Sequence, residues 1–189
     1  MVWVLLIAGA AAVLLIAALG ISIRHPARRL WPPKNADDRT AAIGWLLTVI
    51  VFSGAFLLGA LDWNRFGWPA VFRWPVGLGL VLIGNLIVWR GVFKLGLKAT
   101  SGAKDQIATD GLYRYSRNPQ YMADIAILVG WLILSASLWA VPVIGLGLVT
   151  LIMAPFAEEP WLEETYGEAY RRYRARTPRF LFIETDRRL

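Results

Sequence analysis

The sequence predicts an all-α integral membrane protein with about five transmembrane helices, the last two forming a tight hairpin that is followed by a cytoplasmic amphipathic helix. Hydrophobic residues make up 57% of the chain and charged residues 17%, whereas soluble proteins average roughly 45–50% and 25%. The apolar residues are concentrated in long runs, and most basic residues lie between those runs. Long apolar runs separated by basic loops are typical of helices that cross a bilayer.

The first three spans are predicted at residues 2–23, 41–61 and 75–93. Each run is close to the ~20 apolar residues that a helix needs to cross a hydrocarbon core of about 30 Å. No basic residue precedes the first run, so we expect a retained span and not a cleaved signal peptide. The linker at residues 62–74 is rich in tryptophan, which is typical of the membrane–water interface.

A polar connector and a helical hairpin follow the third span. Residues 94–118 are too polar to span a membrane, and residues 104–108 are expected to form a short surface helix. The apolar run 122–156 is interrupted at residues 135–137, which predicts two antiparallel helices. Pro119 suits the first turn of the first hairpin helix, because a backbone N–H at that position would have no partner within the helix.

An amphipathic tail completes the chain. Its helix is predicted to begin at Pro160 and to end at Pro178. We expect a single domain in which residues 1–93 form a three-span bundle and residues 94–189 carry the functional residues.

The distribution of Lys and Arg predicts the topology. In a five-span arrangement, 18 of the 20 basic residues fall on one side of the membrane, and the other two are Arg65 and Arg73. Cytoplasmic segments carry the excess of Lys and Arg in membrane proteins. We therefore expect the N-terminus outside, and the connector and the tail in the cytoplasm.

Two polar clusters are candidate functional sites, namely residues 110–121 and the pair Glu158-Glu159. A hairpin returns the chain to its starting face, so the clusters are expected to lie close together. The carboxylates can accept hydrogen bonds from ribose hydroxyls or pair with an ammonium group, or they can cap the tail helix. The tyrosines of the first cluster can line a cationic ligand or anchor the chain at the interface: Tyr113, Tyr115 and Tyr121.

Three more charged residues are candidates. Asp124 is the one acid in the last apolar run, where a charged group is usually functional or paired, although its position near the helix start also suits an interfacial acid. Glu168 and Arg176 share a face of the tail helix, where Glu168 is expected to pair with Arg172 and Arg176 can reach into a site. Another face of that helix carries three tyrosines, which are expected to pack against the bundle or the membrane: Tyr166, Tyr170 and Tyr173.

Composition excludes several classes of site. The absence of cysteine excludes thiol catalysis, zinc–thiolate sites and disulfides. The single histidine, His25, excludes a histidine-rich metal site, and no metal is expected. The sequence has neither a strand followed by G-x-G-x-x-G nor a P-loop. The net charge of +7 is attributed to topology, so no nucleic-acid partner is expected.

Four motifs follow one another in the second half of the chain: Arg117-Asn118-Pro119-Gln120-Tyr121, Gly130-Trp131, Ser135-Ala136-Ser137 and Glu158-Glu159-Pro160. In this order they resemble the phospholipid methyltransferases of the phosphatidylethanolamine N-methyltransferase type. The tail at residues 166–178 is similar to that of the isoprenylcysteine carboxyl methyltransferases, a related family. The resemblance covers about residues 111–180.

The resemblance implies a membrane-embedded methyltransferase that uses S-adenosylmethionine, releases S-adenosylhomocysteine and takes a lipid or lipophilic acceptor from the bilayer. It implies that the cofactor contacts seven residues: Tyr113, Arg117, Asn118, Pro119, Tyr121, Glu158 and Glu159. It implies substrate-binding or catalytic roles for Arg176 and Glu168. Many relatives carry histidine at the position of Asn118, so a mechanism with a histidine base is not expected here.

Methyl transfer from a sulfonium is an in-line displacement, so the protein mainly aligns the donor and the acceptor. An amine acceptor must lose a proton, which can pass to Glu158, Glu159 or Asp124. A carboxylate acceptor needs a cation instead, which Arg176 can supply. A phospholipid amine is the favoured acceptor, with an isoprenylcysteine carboxylate or another small hydrophobic molecule as the alternative. A non-enzymatic membrane scaffold also remains open, and so does a sterol-reductase-like enzyme, for which the chain is short.

Overall fold

The computed structural model describes residues 1–33, 39–100 and 107–180. These residues form helices and turns, and no strand occurs among them. The helices are α1 (Val2–Arg24), α2 (Arg39–Leu61), α3 (Ala70–Arg73), α4 (Gly79–Thr100), α5 (Pro119–Ser135), α6 (Val141–Tyr166) and α7 (Glu168–Arg176). The all-α prediction is confirmed. The helix expected at residues 104–108 falls largely outside the described residues.

Among the described residues, four helical segments are long and apolar enough to cross a membrane: Val2–Arg24, Arg39–Leu61, Ala70–Gly91 and Val141–Tyr166. The third includes α3 and the first part of α4, which are joined by one wide turn at Trp74–Leu78 that accommodates Pro75. The fifth apolar helix, α5, has 17 residues, which is about 25 Å at 1.5 Å per residue and short of a ~30 Å core. The protein is thus an integral membrane protein, and its described residues include four full-length apolar helices and one shorter apolar helix.

The helices run back and forth between two ends of the molecule. At one end, which we call the hairpin end, the backbone N–H of Asn64 donates to the carbonyl of Ser135 at 2.6 Å. At the other, which we call the site end, the Tyr121 hydroxyl donates to Glu158. This contact confirms that the two polar clusters meet. The site end also holds the described parts of the basic loop and tail, as the charge distribution predicted, while their assignment to the cytoplasm stays a prediction.

Small residues bring the helices into close contact. A Cβ atom at Gly54 of α2 would clash with the Cβ of Ala8 in α1, and one at Gly77 would lie 2.6 Å from the backbone nitrogen of Leu134 in α5. Gly79, two residues further on, has nothing within 4 Å of a Cβ position. Close approach of helix backbones at small residues is the usual way in which membrane helices pack without a hydrophobic driving force.

The turn between α5 and α6 is fastened by two charged side chains. Asp62 Oδ2 accepts hydrogen bonds from the Ser137 hydroxyl at 3.0 Å and from the N–H groups of Leu138 and Trp139 at 2.9 and 3.1 Å. Arg73 is only 5% exposed, and its Nη1 donates to the carbonyl of Leu134 at 2.7 Å. Arg73 therefore stabilises the end of α5, in addition to carrying a positive charge at the hairpin end.

The predicted start of the tail helix at Pro160 is wrong. Helix α6 continues through Pro155 and Pro160 and ends at Tyr166, and Gly167 breaks it with φ 53° and ψ −124°. Membrane helices accommodate internal prolines because neighbouring groups satisfy the carbonyls that the missing N–H groups leave free. The positive φ favours glycine, which has no Cβ atom to clash. Helix α7 then ends at Arg176, shortly before Pro178 as predicted.

Candidate functional site

A cavity of about 1040 Å³ lies at the site end and extends into the bundle. One part of its wall is polar and aromatic, with Trp31, Tyr113, Arg117, Asn118, Tyr121, Asp124, Glu158, Trp161, Tyr166, Tyr170 and Tyr173. The other part is apolar, with Leu15, Leu47, Val51, Phe52, Val88, Gly147 and Leu151. From Glu158 to Gly147 the cavity follows about 16 Å of α6 at 1.5 Å per residue. The cavity thus joins a polar chamber at the helix ends to an apolar chamber between the spans.

Part of the cavity rim lies on the outer surface of the bundle. Ile43 and Val49 of α2 and Trp89 of α4 line the cavity and are also 55%, 56% and 55% exposed, respectively. In a membrane helix, such exposed apolar side chains face lipid. The apolar chamber is therefore bordered by residues that face the bilayer.

Glu158 contributes a carboxylate to the polar chamber. Its Oε1 accepts hydrogen bonds from the Trp31 indole N–H at 2.7 Å and from the Tyr121 hydroxyl. Both hydrogen bonds that described residues donate to this carboxylate reach Oε1. The described residues thus hold Glu158 through one of its two oxygens.

Glu159 points away from the cavity and is not part of its wall. Its two oxygens accept hydrogen bonds from Arg179 Nε at 2.7 Å and Nη2 at 2.6 Å, and Arg117 Nη1 lies 3.0 Å from Oε1. The hydrogen bonds to Glu159 and burial act in opposite directions on Arg179, and the hydrogen bonds prevail and raise its pKa. Consecutive helix residues point about 100° apart, which explains why the two carboxylates do not act as a pair.

The segment before α5 is hydrogen-bonded to the residues that follow α7. The Arg117 N–H donates to the carbonyl of Pro178 at 2.9 Å. The Ser116 hydroxyl and the Asn118 side-chain amide both donate to the carbonyl of Arg179 at 3.1 Å. The Asn118 amide therefore has a structural partner, although the residue also borders the cavity. Pro119 begins α5, is buried and is not part of the cavity wall.

Three tyrosines of the polar chamber, Tyr113, Tyr170 and Tyr173, remain uncharged at neutral pH. Burial, helped by the negative charge of Glu158, raises the pKa of Tyr113 to about 12. Burial also raises the pKa of Tyr170 to about 12, with Glu159 contributing. The hydroxyl of Tyr173 donates to the carbonyl of Tyr113 at 2.7 Å, and burial raises its pKa as well. Together these rings give the chamber a neutral aromatic wall beside the carboxylate of Glu158.

Asp124 lies one turn further into α5 than Tyr121, and it lines the same cavity. Three residues of helix correspond to about 4.5 Å along the axis. This position places Asp124 on the path from the polar chamber towards the apolar chamber.

Glu168 and Arg176 lie outside the cavity. Both are exposed on α7, and neither is part of the cavity wall. Glu168 Oε2 accepts a hydrogen bond from Arg171 Nε at 2.9 Å, so the expected pairing with Arg172 is wrong. Glu168 and Arg176 are exposed because the opposite face of α7, which carries Tyr170 and Tyr173, packs towards the cavity. The roles of Glu168 and Arg176 in catalysis stay predictions, and no contact of the described residues supports them.

Sequence reasoning missed Trp31 and assigned the tail tyrosines to packing alone. The loop before α2 gave no signal for Trp31 beyond an aromatic residue at a membrane edge. The spacing of the tail tyrosines did indicate that they share a face. All three line the cavity, although Gly167 separates Tyr166 from Tyr170 and Tyr173.

Comparison with known proteins gives a family and one distant relative. A family model described as phospholipid methyltransferase matches residues 72–169. Steroid 5-alpha-reductase DET2 from Solanum lycopersicum is 28% identical over 109 residues, which cover 56% of this chain and 42% of that protein. The chain therefore spans less than half the length of this curated relative. No solved structure matches the chain.

The matched family region includes α4, α5, the hairpin turn and the part of α6 that carries Glu158. Both descriptions name enzymes, and the described residues of this chain include four long apolar helices. Because the family match covers residues 72–169 of 189, more than half of the sequence, the chain belongs to the phospholipid methyltransferase family.

Proposed function

We propose that the protein is a methyltransferase that uses S-adenosylmethionine and acts on a lipophilic acceptor in the membrane, with a phospholipid amine as the favoured acceptor. The observation that supports this most directly is the Glu158 carboxylate, which is held by Trp31 and Tyr121 within an aromatic chamber. S-adenosylmethionine carries a sulfonium and an ammonium group and supplies the methyl group. Aromatic faces and a carboxylate together attract such cations.

The chamber also offers a donor for an anionic group. Arg117 lines the cavity, and its Nε is buried with no hydrogen-bond partner in the described structure. This N–H is suited to the carboxylate of the cofactor, since charge-assisted hydrogen bonds to guanidinium are among the stronger ones. Glu158 Oε2 is suited to the ammonium group or the ribose hydroxyls. Asn118 borders the chamber, and Pro119 and Glu159 support it from outside the cavity wall.

A nicotinamide-dependent reductase fits the chamber less well. A dinucleotide carries negatively charged phosphates, which proteins bind with cations or with helix N-termini. Among the described residues of the cavity wall Arg117 is the one cation, and its Nη1 lies against Glu159 and Tyr170. An acidic and aromatic chamber favours a cationic cofactor over an anionic one.

The apolar chamber suits the acceptor. Its rim faces the bilayer, so a lipophilic molecule enters from the membrane while the cofactor binds at the site end, which we assign to the cytoplasm. Asp124, between the chambers, accepts the proton that an amine loses before methylation. A carboxylate acceptor would need a cation, and Arg176 is exposed outside the cavity. The geometry therefore favours an amine.

The test is thermal stabilisation of the detergent-purified protein by S-adenosylmethionine or S-adenosylhomocysteine. A ligand at 100 times its Kd adds about 2.7 kcal/mol to the free energy of unfolding. Glu158→Gln should reduce this stabilisation sharply. Glu163→Gln is the matched control, because Glu163 lies on the same helix and pairs with the arginines of α7.

Labelled methyl transfer into extracted lipids then identifies the acceptor. Label in an amine-containing phospholipid supports the favoured acceptor, and label in an ester supports carboxyl methylation. If millimolar cofactor leaves the wild-type melting temperature unchanged and no methyl group is transferred, the methyltransferase proposal fails. A scaffold would show no ligand effect for any variant.

A further inference from the structure

The loop between α1 and α2 reaches the polar chamber although it lies outside the part of the chain that the family model matches. Trp31 donates its indole N–H to Glu158 Oε1 across a sequence separation of 127 residues. The bond is 2.7 Å long, which is typical of a donor that faces a charged acceptor. The contact joins the N-terminal half of the chain to the acidic group of the site.

Ser22 holds this loop in place. Its hydroxyl is fully buried at the end of α1 and donates to the carbonyl of Ala18 at 2.8 Å. The same oxygen accepts the backbone N–H groups of Leu30 and Trp31 at 2.9 and 3.1 Å. A single side chain therefore fixes the backbone of Trp31 against the end of α1.

Glu158 Oε1 receives two donors, from Trp31 and from Tyr121. An aspartate or glutamate side chain that is held through one oxygen has a defined orientation for the other. We infer that Trp31 is a positioning residue, which holds Glu158 through Oε1 so that Oε2 is presented to a cationic group of the cofactor. This inference rests on the proposed function for the identity of the ligand.

The contact itself can be tested without any ligand. In protein labelled with ¹⁵N at tryptophan, the indole N–H resonance of Trp31 is assigned by its loss in Trp31→Phe. Glu158→Gln should shift this resonance strongly, because the acceptor changes from a carboxylate to an amide. A Trp31 resonance that does not respond to Glu158→Gln overturns the positioning role, whatever the binding result.

The second measurement is the Kd for S-adenosylhomocysteine by calorimetry. Trp31→Phe keeps an aromatic ring and removes the N–H, and it should weaken binding on the order of tenfold, the value typical of one hydrogen bond to a charged group. In the Glu158→Gln background the same substitution should change the Kd less than about twofold, because residues that act through one another are not additive. Equal effects in both backgrounds overturn the inference.

Two variants separate positioning from general damage to the fold. Trp131→Phe also removes an indole hydrogen bond, to the carbonyl of Ala55 at 3.1 Å, but Trp131 is not part of the cavity wall. It should leave the Kd unchanged, and weakening equal to that of Trp31→Phe contradicts the inference. Ser22→Ala should also raise the Kd, because it removes the acceptor of the backbone N–H groups of Leu30 and Trp31. An unchanged Kd for Ser22→Ala contradicts the inference.

The outcomes distinguish the two proposals. If the wild-type protein binds neither S-adenosylmethionine nor S-adenosylhomocysteine, the proposed function fails and the ligand part of this inference fails with it. If the wild type binds and Trp31→Phe binds equally well, the proposed function stands and the positioning role is wrong.

Discussion

Changing Glu158 and Glu159 separately to glutamine should give opposite results, because adjacent carboxylates have different surroundings. Glu159 is 10% exposed and contacts Arg117, which is 6% exposed, and Arg179, which is 29% exposed. Removing the charge of one partner in a buried ion pair costs about 3–5 kcal/mol. Since Arg179 keeps access to water, we expect Glu159→Gln to lower the free energy of unfolding by about 3 kcal/mol.

Glu158→Gln should have a much smaller effect on the ligand-free protein. The amide oxygen can still accept the hydrogen bonds from Trp31 and Tyr121, so we expect a loss of less than about 1 kcal/mol. For a chain of this length, 1 kcal/mol corresponds to about 2–4 °C in the melting temperature. Glu159→Gln should therefore lower the Tm by about 6–12 °C, and Glu158→Gln by less than about 4 °C.

The assay is thermal unfolding in detergent, with and without S-adenosylhomocysteine. Glu159→Gln should start from a lower Tm and still be stabilised by the ligand, whereas Glu158→Gln should start near the wild-type Tm and lose most of the ligand effect. Glu163→Gln is the control for charge removal at a more exposed pair, which should cost at most about 1 kcal/mol. The reasoning is refuted if Glu159→Gln unfolds like the wild type while ligand stabilisation is lost.

Two further predictions concern the hairpin end and the packing of α5. Gly77→Ala should lower the free energy of unfolding by about 1–3 kcal/mol through overpacking against the backbone of Leu134, whereas Gly79→Ala, with nothing within 4 Å, should be neutral or slightly stabilising in the same thermal assay. Asp62→Asn should lower the Tm at pH 7, because it removes a carboxylate that the hairpin turn stabilises. Burial acts to raise the pKa of Asp62, but the hydrogen bonds from the hairpin turn outweigh burial and lower this pKa below 3.8. The stabilisation by Asp62 is thus present above about pH 3.8 and is lost as the pH falls through the lowered pKa, so a Tm difference that persists at more acidic pH would contradict this account.

Most of the fold follows from the sequence because long apolar runs have few alternatives in a bilayer. Polar residues bound each run, and the interruption at residues 135–137 marks the hairpin turn. The helix start predicted at Pro160 was wrong, because local sequence rules place a proline at the first turn of a helix and not in its interior. The structure of α6 depends instead on tertiary neighbours, and Gly167 provides the break.

The site was only partly predictable, for a different physical reason. The contact between Tyr121 and Glu158 follows from the hairpin, because the start of α5 and the later part of α6 both lie towards the site end. The contribution of Trp31 depends on hydrogen bonds to Ser22 that no periodic pattern encodes. The exposure of Arg176 depends on where α7 begins, and that start was misplaced by the error at Pro160.

The separation between Glu158 and Glu159 shows how one acidic motif can serve two purposes. Glu158 faces the chamber, while Glu159 joins Arg117, which precedes α5, to Arg179, which follows α7. Closing the tail onto this segment also brings Tyr170 and Tyr173 to the cavity wall. Glu159 therefore supports the chamber without lining it. Losing its charge should loosen the tail and lower the Tm, while the contact of the ligand with Glu158 remains, so Glu159→Gln should still be stabilised by the ligand from that lower Tm.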